Sequence, residues 1–139
     1  MFSGDHILNK ITPNVSLWPK GTDRNPLKRF ISSLEKIASY EVKVAYPAHK
    51  SIITDVNKRI KELFDHHEER LKQVITWVGE KATGYEVCEK MFGKDLSIHQ
   101  LRFAMAETLA HLVYLEGEGK LSSQKEGHVV SWMPNHLEN

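Results

Sequence analysis

The chain is short of several things that would point to a partner or a compartment. It has one cysteine, Cys88, in 139 residues. A lone thiol excludes an internal disulfide framework and fits a reducing, cytoplasmic setting. Neither sign of charge dominates: 19 Lys and Arg stand against 18 Asp and Glu, a formal net charge of +1. No global field therefore marks the chain for nucleic acid or an anionic membrane. Its apolar runs are only a handful of residues long, which excludes a transmembrane helix. No basic segment, apolar core and small-residue cleavage site follow one another at the start, so no secretory signal is visible.

Familiar metal and nucleophile spacings are missing too. The eight histidines form no His-x-His or His-x-x-x-His pair, and no Cys-x-x-Cys occurs, so helix-face zinc and zinc-ribbon patterns are absent. There is no Gly-x-Ser-x-Gly and no phosphate-cradling glycine loop. Cys88, with only Lys90 as a nearby cation, reads as a small core residue rather than a thiolate. His66 and His67 are helix neighbours about 100° apart and cannot both face one ion. They read as one solvated and one half-buried imidazole.

What is present is an ordinary globular composition, 40% hydrophobic and 27% charged, enough for one domain or two small ones. Residues 2–8 read as a short strand that ends near Gly4-Asp5 or resumes at Ile7-Leu8. Residues 9–24, with two prolines and Trp18, read as a long loop. Asn25 caps a helix that begins at Pro26, since proline is tolerated where the N–H has no partner. Leu27, Phe30, Ile31, Leu34, Ile37 and Ala38 give it one apolar stripe. "VKVAY" at 42–46 alternates like a strand, and "PAHK" reads as a turn. Thr54 or Asp55 caps the longest helix, which runs to about Val78 with a solvated face of Lys, Glu and Arg.

The style changes after Ala82. Thr83 caps a short helix that Gly93 stops. Ser97 caps another, with glycines past its end. "KLSSQKEGHVVSWMP" reads as a β-hairpin with a Lys-Glu-Gly tip. Helix, helix, helix and a two-stranded wing is the order of a winged helix. Met91, Phe92, Leu101, Met105, Leu109, Leu112 and Leu115 offer it a small core. Residues 81–139 hold six Lys and Arg against eight Asp and Glu, whereas residues 1–80 hold thirteen against ten. The expected recognition helix exposes His99, Gln100, Arg102, Glu107 and His111, which is no phosphate-binding face. Packing is therefore favoured over nucleic-acid binding.

Asp5 follows one expected strand and His49 another. Neighbouring strand ends can converge, and a carboxylate with an imidazole is a reasonable ligand pair, although a stable zinc site takes three or four protein ligands. The alternative is a polar turn residue and a turn histidine.

The segments "FSGDHIL", "ITPNVSLWP", "NPLKRFISSLEKI", "VKVAYPAHKSIITD" and "RIKELFDHHEERL", in that order, resemble the C-terminal part of metallo-β-lactamase-fold hydrolases. The branch resembled is glyoxalase II-like and ribonuclease-like, with an appended winged-helix tail. The resemblance implies an α/β fold: the C-terminal half of an αβ/βα sandwich over residues 1–80, then a small winged-helix module over 81–139. It places Asp5 where the family aspartate bridges two zinc ions. His49 falls where the histidine of the family's Pro-Gly-His turn binds the second ion. Ala48 stands where that turn usually has glycine, the default for unusual backbone angles.

The departures carry their own implication. The family's His-x-His-x-Asp-His signature is absent, as is the further histidine before the bridging aspartate. Four metal-binding histidines, one aspartate and half the sandwich are then missing. On that resemblance the chain is a fragment, inactive alone, of a zinc-dependent hydrolase of an ester, thioester, lactone or phosphodiester. Trp18 would lie near the substrate. Its partner is expected to be a missing N-terminal half or a second copy, because one face of the short sheet lacks a cover. A tail that binds nucleic acid, or that docks and dimerises, is the alternative.

Overall fold

The computed structural model describes residues 1–136, which fall into two compact units. One comprises Met1–Asn14 and Arg29–Glu69, the other Val15–Lys28 with Arg70 onward. Two of the three boundaries fall inside helices, α1 (Pro26–Ala38) and α2 (Val56–Val78).

The first unit is built on a minimal parallel sheet. Strand β1 (Phe2–Gly4) pairs with β2 (Tyr46–Pro47), placing Phe2 opposite Tyr46 and Gly4 opposite Pro47. Tyr46 N–H donates to Met1 O at 2.8 Å and Ala48 N–H to Gly4 O at 2.9 Å. Both strands are shorter than the alternation suggests. Residues 42–44 form no strand, and Ala45 instead makes a two-bond antiparallel bridge with Ile53. Beyond Gly4 the chain turns at Asp5-His6, and the apolar pair Ile7-Leu8 is buried without resuming the strand.

Asp55 Oδ1 accepts the Lys58 N–H at 3.0 Å, so Asp55 rather than Thr54 caps α2. The buried face of α2 in this unit carries Val56, Ile60, Leu63 and His67. His67 is 3% exposed and stands edge-on to Phe30, with ring centroids 5.5 Å apart. His66 is exposed. A histidine thus fills a position on the apolar stripe, four residues after Leu63.

In the second unit, Asn25 Oδ1 accepts the Lys28 N–H at 3.3 Å and opens α1. Strand β3 (Ala82–Thr83) leads into α3 (Gly84–Phe92) and α4 (Ile98–Gly117), followed by β4 (Leu121–Glu126) and β5 (Val129–Pro134). The sheet order is β3-β5-β4, all antiparallel, with Ala82 opposite Trp132. Strand β3 has no sequence signal; it exists because β5 offers it a partner.

Capping boxes start both helices. Thr83 Oγ1 accepts the Glu86 N–H while Glu86 Oε2 accepts the Thr83 N–H, and Ser97 and Gln100 repeat the exchange. Gly93, at φ 86°, ends α3. Gly127, at φ 63°, takes the first position of the two-residue turn between Glu126 and Val129, a conformation glycine adopts without strain.

The core of this unit joins Val74 and Val78 of α2 to Ala82, Val87, Leu112, Leu115, Leu121 and Trp132. Of the seven residues expected to form a tail core, Leu112 and Leu115 lie within it. Met91 and Leu109 pack against it, and Phe92, Leu101 and Met105 are half-buried. No helix among the described residues is long and apolar enough to cross a membrane.

Candidate metal centre

Parallel pairing puts the carboxyl ends of β1 and β2 side by side. Asp5 follows the last residue of β1, and His49 follows β2 by one intervening residue, Ala48. Their side chains consequently meet: His49 Nε2 lies 3.6 Å from Asp5 Oδ1. Both are largely in solvent, with side chains 71% and 67% exposed. As a bare ion pair such a contact adds little stability.

The turn that aims Asp5 is a local product of its sequence. His6 N–H donates to Ser3 O at 3.0 Å, closing a turn around Gly4 and Asp5. Gly4 sits at φ 54°, which glycine tolerates and side-chain-bearing residues rarely do. Ser3 Oγ donates to Ile7 O at 3.1 Å, and Ile7 is fully buried beneath. His6 is engaged by α1: its ring packs on Phe30 with centroids 4.8 Å apart, and Nε2 pairs with Ser33 Oγ at 2.6 Å. Burial pushes the His6 imidazole below the usual histidine range. His6 therefore anchors the turn.

On the other strand the Ala45–Ile53 bridge closes residues 46–52 into a loop. The left-handed position in that loop is Lys50, at φ 72°. Ala48 has no positive φ, so its methyl group meets no backbone penalty where the family glycine was expected.

The donor set can be tested against a zinc-type ion by its own dimensions. Imidazole nitrogen and carboxylate oxygen bind zinc at about 2.0–2.2 Å, so two of them on one tetrahedral ion lie roughly 3.3–3.6 Å apart. The observed 3.6 Å falls at the upper edge of that range. Chemistry and spacing both fit two ligands of one ion. Among the described residues no group of three or more His, Cys, Asp or Glu could complete the shell.

Trp18 belongs to the second unit. Its ring meets Phe103 edge-on at 5.5 Å and lies under the Arg102 guanidinium at 5.4 Å. Cys88 is fully buried, and burial pushes its thiol up, as a core residue requires.

Comparison with known proteins decides what this architecture is. A family model described as "Metallo-beta-lactamase-like, C-terminal domain" matches residues 71–133. The metallo-β-lactamase family protein TTHA1429 from Thermus thermophilus superposes with a TM-score of 0.82 at 36% identity, covering 96% of this chain and 41% of that one. The chain has the fold of the C-terminal part of a metallo-β-lactamase-fold protein. A β-lactamase domain protein from Burkholderia ambifaria agrees, with a TM-score of 0.87 at 29% identity, covering 96% of this chain and 41% of that one. Among curated relatives, "Probable metallo-hydrolase YqjP" of Bacillus subtilis (strain 168) is 31% identical over 134 residues, 94% of this chain and 42% of its own. An "Atrochrysone carboxyl ACP thioesterase" of Passalora fulva is 24% identical over 140 residues, 95% of this chain and 39% of its own. The metallo-β-lactamase-fold chain thus spans about two-fifths of the curated relatives it matches. That family is metal-dependent, usually with zinc.

Proposed function

We propose that this chain supplies two ligands, Asp5 and His49, to the zinc centre of a metallo-β-lactamase-type hydrolase. The observation that carries this reading is the 3.6 Å approach of the two side chains on the ends of adjacent parallel strands. When bound, zinc lowers the pKa of a coordinated water and makes a hydroxide nucleophile available near neutral pH. The contribution of this chain is to hold a carboxylate and an imidazole at one point, with Gly4 and Lys50 shaping the turns beneath them. Glyoxalase II-like and ribonuclease-like enzymes remain the branch it resembles. Among substrates, a thioester is favoured by the thioesterase name of the Passalora relative, with ester, lactone and phosphodiester as the other members of the class.

Two ligands are fewer than a resident zinc takes from protein. The remaining ligands, in this reading, come from an N-terminal half or from a second copy of the chain. Support comes from the open face of the small sheet, where Phe2 is 90% exposed and meets the exposed Tyr46 at a tilt, with centroids 5.6 Å apart. Alone, the chain is inactive. Zinc analysis after dialysis tests this, beside an acyl-thioester hydrolysis assay. The expected result is no tightly held ion and background turnover; two tightly held zinc ions per chain overturn the reading.

Residues 81–139 are proposed as a winged-helix module. The observation in its favour is the order β3, α3, α4, β4, β5 with a tight hairpin wing. Its excess of acidic residues supports packing or dimerisation over nucleic-acid binding. A salt-dependent shift with short RNA or DNA overturns that preference. A reducing cytoplasm suits the buried Cys88 thiol.

A further inference from the structure

We propose that Arg59 and Asn9 are positioning residues for the Asp5–His49 pair, an inference that rests on the metal reading above. The two ligand side chains are mostly in solvent, so packing does not fix them. Their separation is set by the backbone beneath, and three struts close to the two ligands, besides the Tyr46–Met1 bond of the strand pair, help to hold it. The first is main chain to main chain, Ala48 N–H to Gly4 O at 2.9 Å. The second joins the loops that follow the two strands: Asn9 Nδ2 donates to Ser51 Oγ at 2.5 Å.

The third is Arg59 of α2. Its Nε donates to Leu8 O at 2.7 Å and its Nη2 to Ile11 O at 3.1 Å, while Nη1 donates to Glu62 Oε2 at 2.9 Å. The side chain is only 11% exposed. A guanidinium that gives two donors to main-chain carbonyls, with a third donor fixed by a carboxylate, is a clamp rather than a surface ion pair. Its planar fork offers several donors in a fixed geometry, which a lysine ammonium cannot match. The clamp grips residues 8–11, three residues past Asp5. Asn9, within the same stretch, reaches the loop of His49. Removing either strut lets the two ligands drift apart, and among the described residues no third ligand restrains the pair.

The test is a cobalt(II) titration of the full chain, followed by paramagnetic broadening of the His49 imidazole signals, with thermal melts alongside. The parent chain is expected to show weak, saturable broadening of His49 that Asp5→Ala abolishes. Arg59→Ala should weaken the apparent affinity roughly tenfold, the low end for residues that orient ligands from outside the shell. Asn9→Ala should weaken it less, and Arg59→Lys should restore part of the loss. Amide exchange at Ala48, whose N–H spans the two strand ends, should quicken in both alanine variants. If Arg59→Ala fails to fold, Asn9→Ala carries the test. Unchanged cobalt affinity in a folded variant, with the parent binding at His49, overturns the positioning role alone. Absence of broadening at His49 in the parent, or equal binding by Asp5→Ala, overturns the metal reading and this one with it.

Discussion

Trp18 meets Phe103 edge-on, with ring centroids 5.5 Å apart and an interplanar angle of 85°. The loop that carries Trp18 is fastened to the same helix, because Leu17 N–H donates to Ala106 O at 2.9 Å. Arg102 completes the arrangement from above the indole. Such edge-to-face pairs add about 0.5–1.5 kcal/mol beyond the area they bury. Trp18→Ala should therefore destabilise the second unit by about 2–3 kcal/mol, most of it lost apolar burial. Phe103, half in solvent, should cost less. A double-mutant cycle read by denaturant unfolding should give a coupling near ~1 kcal/mol. A coupling close to zero would show that the two rings merely lie near each other.

Glu107 of α4 lines a cavity with Phe92, Leu96, Phe103 and the polar His99 and Gln100. Burial pushes its pKa up, and the attraction of Arg70 opposes that only in part. The folded state then holds the proton more tightly than the unfolded state. Stability is accordingly highest below the ordinary carboxylate value near 4.5 and falls as pH rises from there through the raised folded value. Glu107→Gln removes that loss. Melts at neutral pH should show the glutamine variant more stable, with the gain vanishing as both proteins are taken below the carboxylate range. A variant less stable at neutral pH would mean that the pairing with Arg70 outweighs desolvation.

The boundaries of helices were the most legible part of the sequence, for a local reason. Asn25, Asp55, Thr83 and Ser97 each satisfy a backbone N–H three residues ahead, and Gly93 supplies the positive-φ stop. Such signals lie within one turn of chain. Strands β1, β2 and β3 were blurred because pairing is non-local. Phe2 must find Tyr46, and Ala82 must find Trp132, and nothing near either residue reports the partner. Asp5 and His49 stood out only as residues after two expected strands; their approach depends on the parallel register. His67 escaped as a core position because its residue type is polar, although its place on the stripe of Leu63 is apolar in all but name. Arg59 had no signal at all, since its acceptors are main-chain carbonyls of Leu8 and Ile11.

The capping box of α3 gives a pH signature of opposite sign to that of Glu107. Hydrogen bonds from the Thr83 backbone and hydroxyl hold the Glu86 carboxyl below the usual carboxylate range. That stabilisation is present above the unfolded value and is lost as pH falls through the lowered folded value. Thr83→Ala should cost about 1 kcal/mol at neutral pH. It should also flatten the acid limb of the stability curve, as should Glu86→Gln. Unfolding curves at neutral pH and below the carboxylate range compare the three chains. An acid limb unchanged by either substitution would remove Glu86 from the account.

Residues 48 and 50 make opposite predictions from one loop. Glycine was the expected occupant at 48, yet the positive φ belongs to Lys50, at 72°. A lysine there bears the crowding of Cβ against its own carbonyl, which glycine escapes. Lys50→Gly should relieve that strain but widen the freedom of the unfolded chain, for a net gain of about 0.5 kcal/mol. Ala48→Gly gains nothing in the folded state and loses about 0.5–1 kcal/mol through the same unfolded-state freedom. The two variants should therefore move the denaturation midpoint in opposite directions, with unchanged denaturant slopes. A stabilising Ala48→Gly would show that the turn before His49 needs the glycine geometry after all.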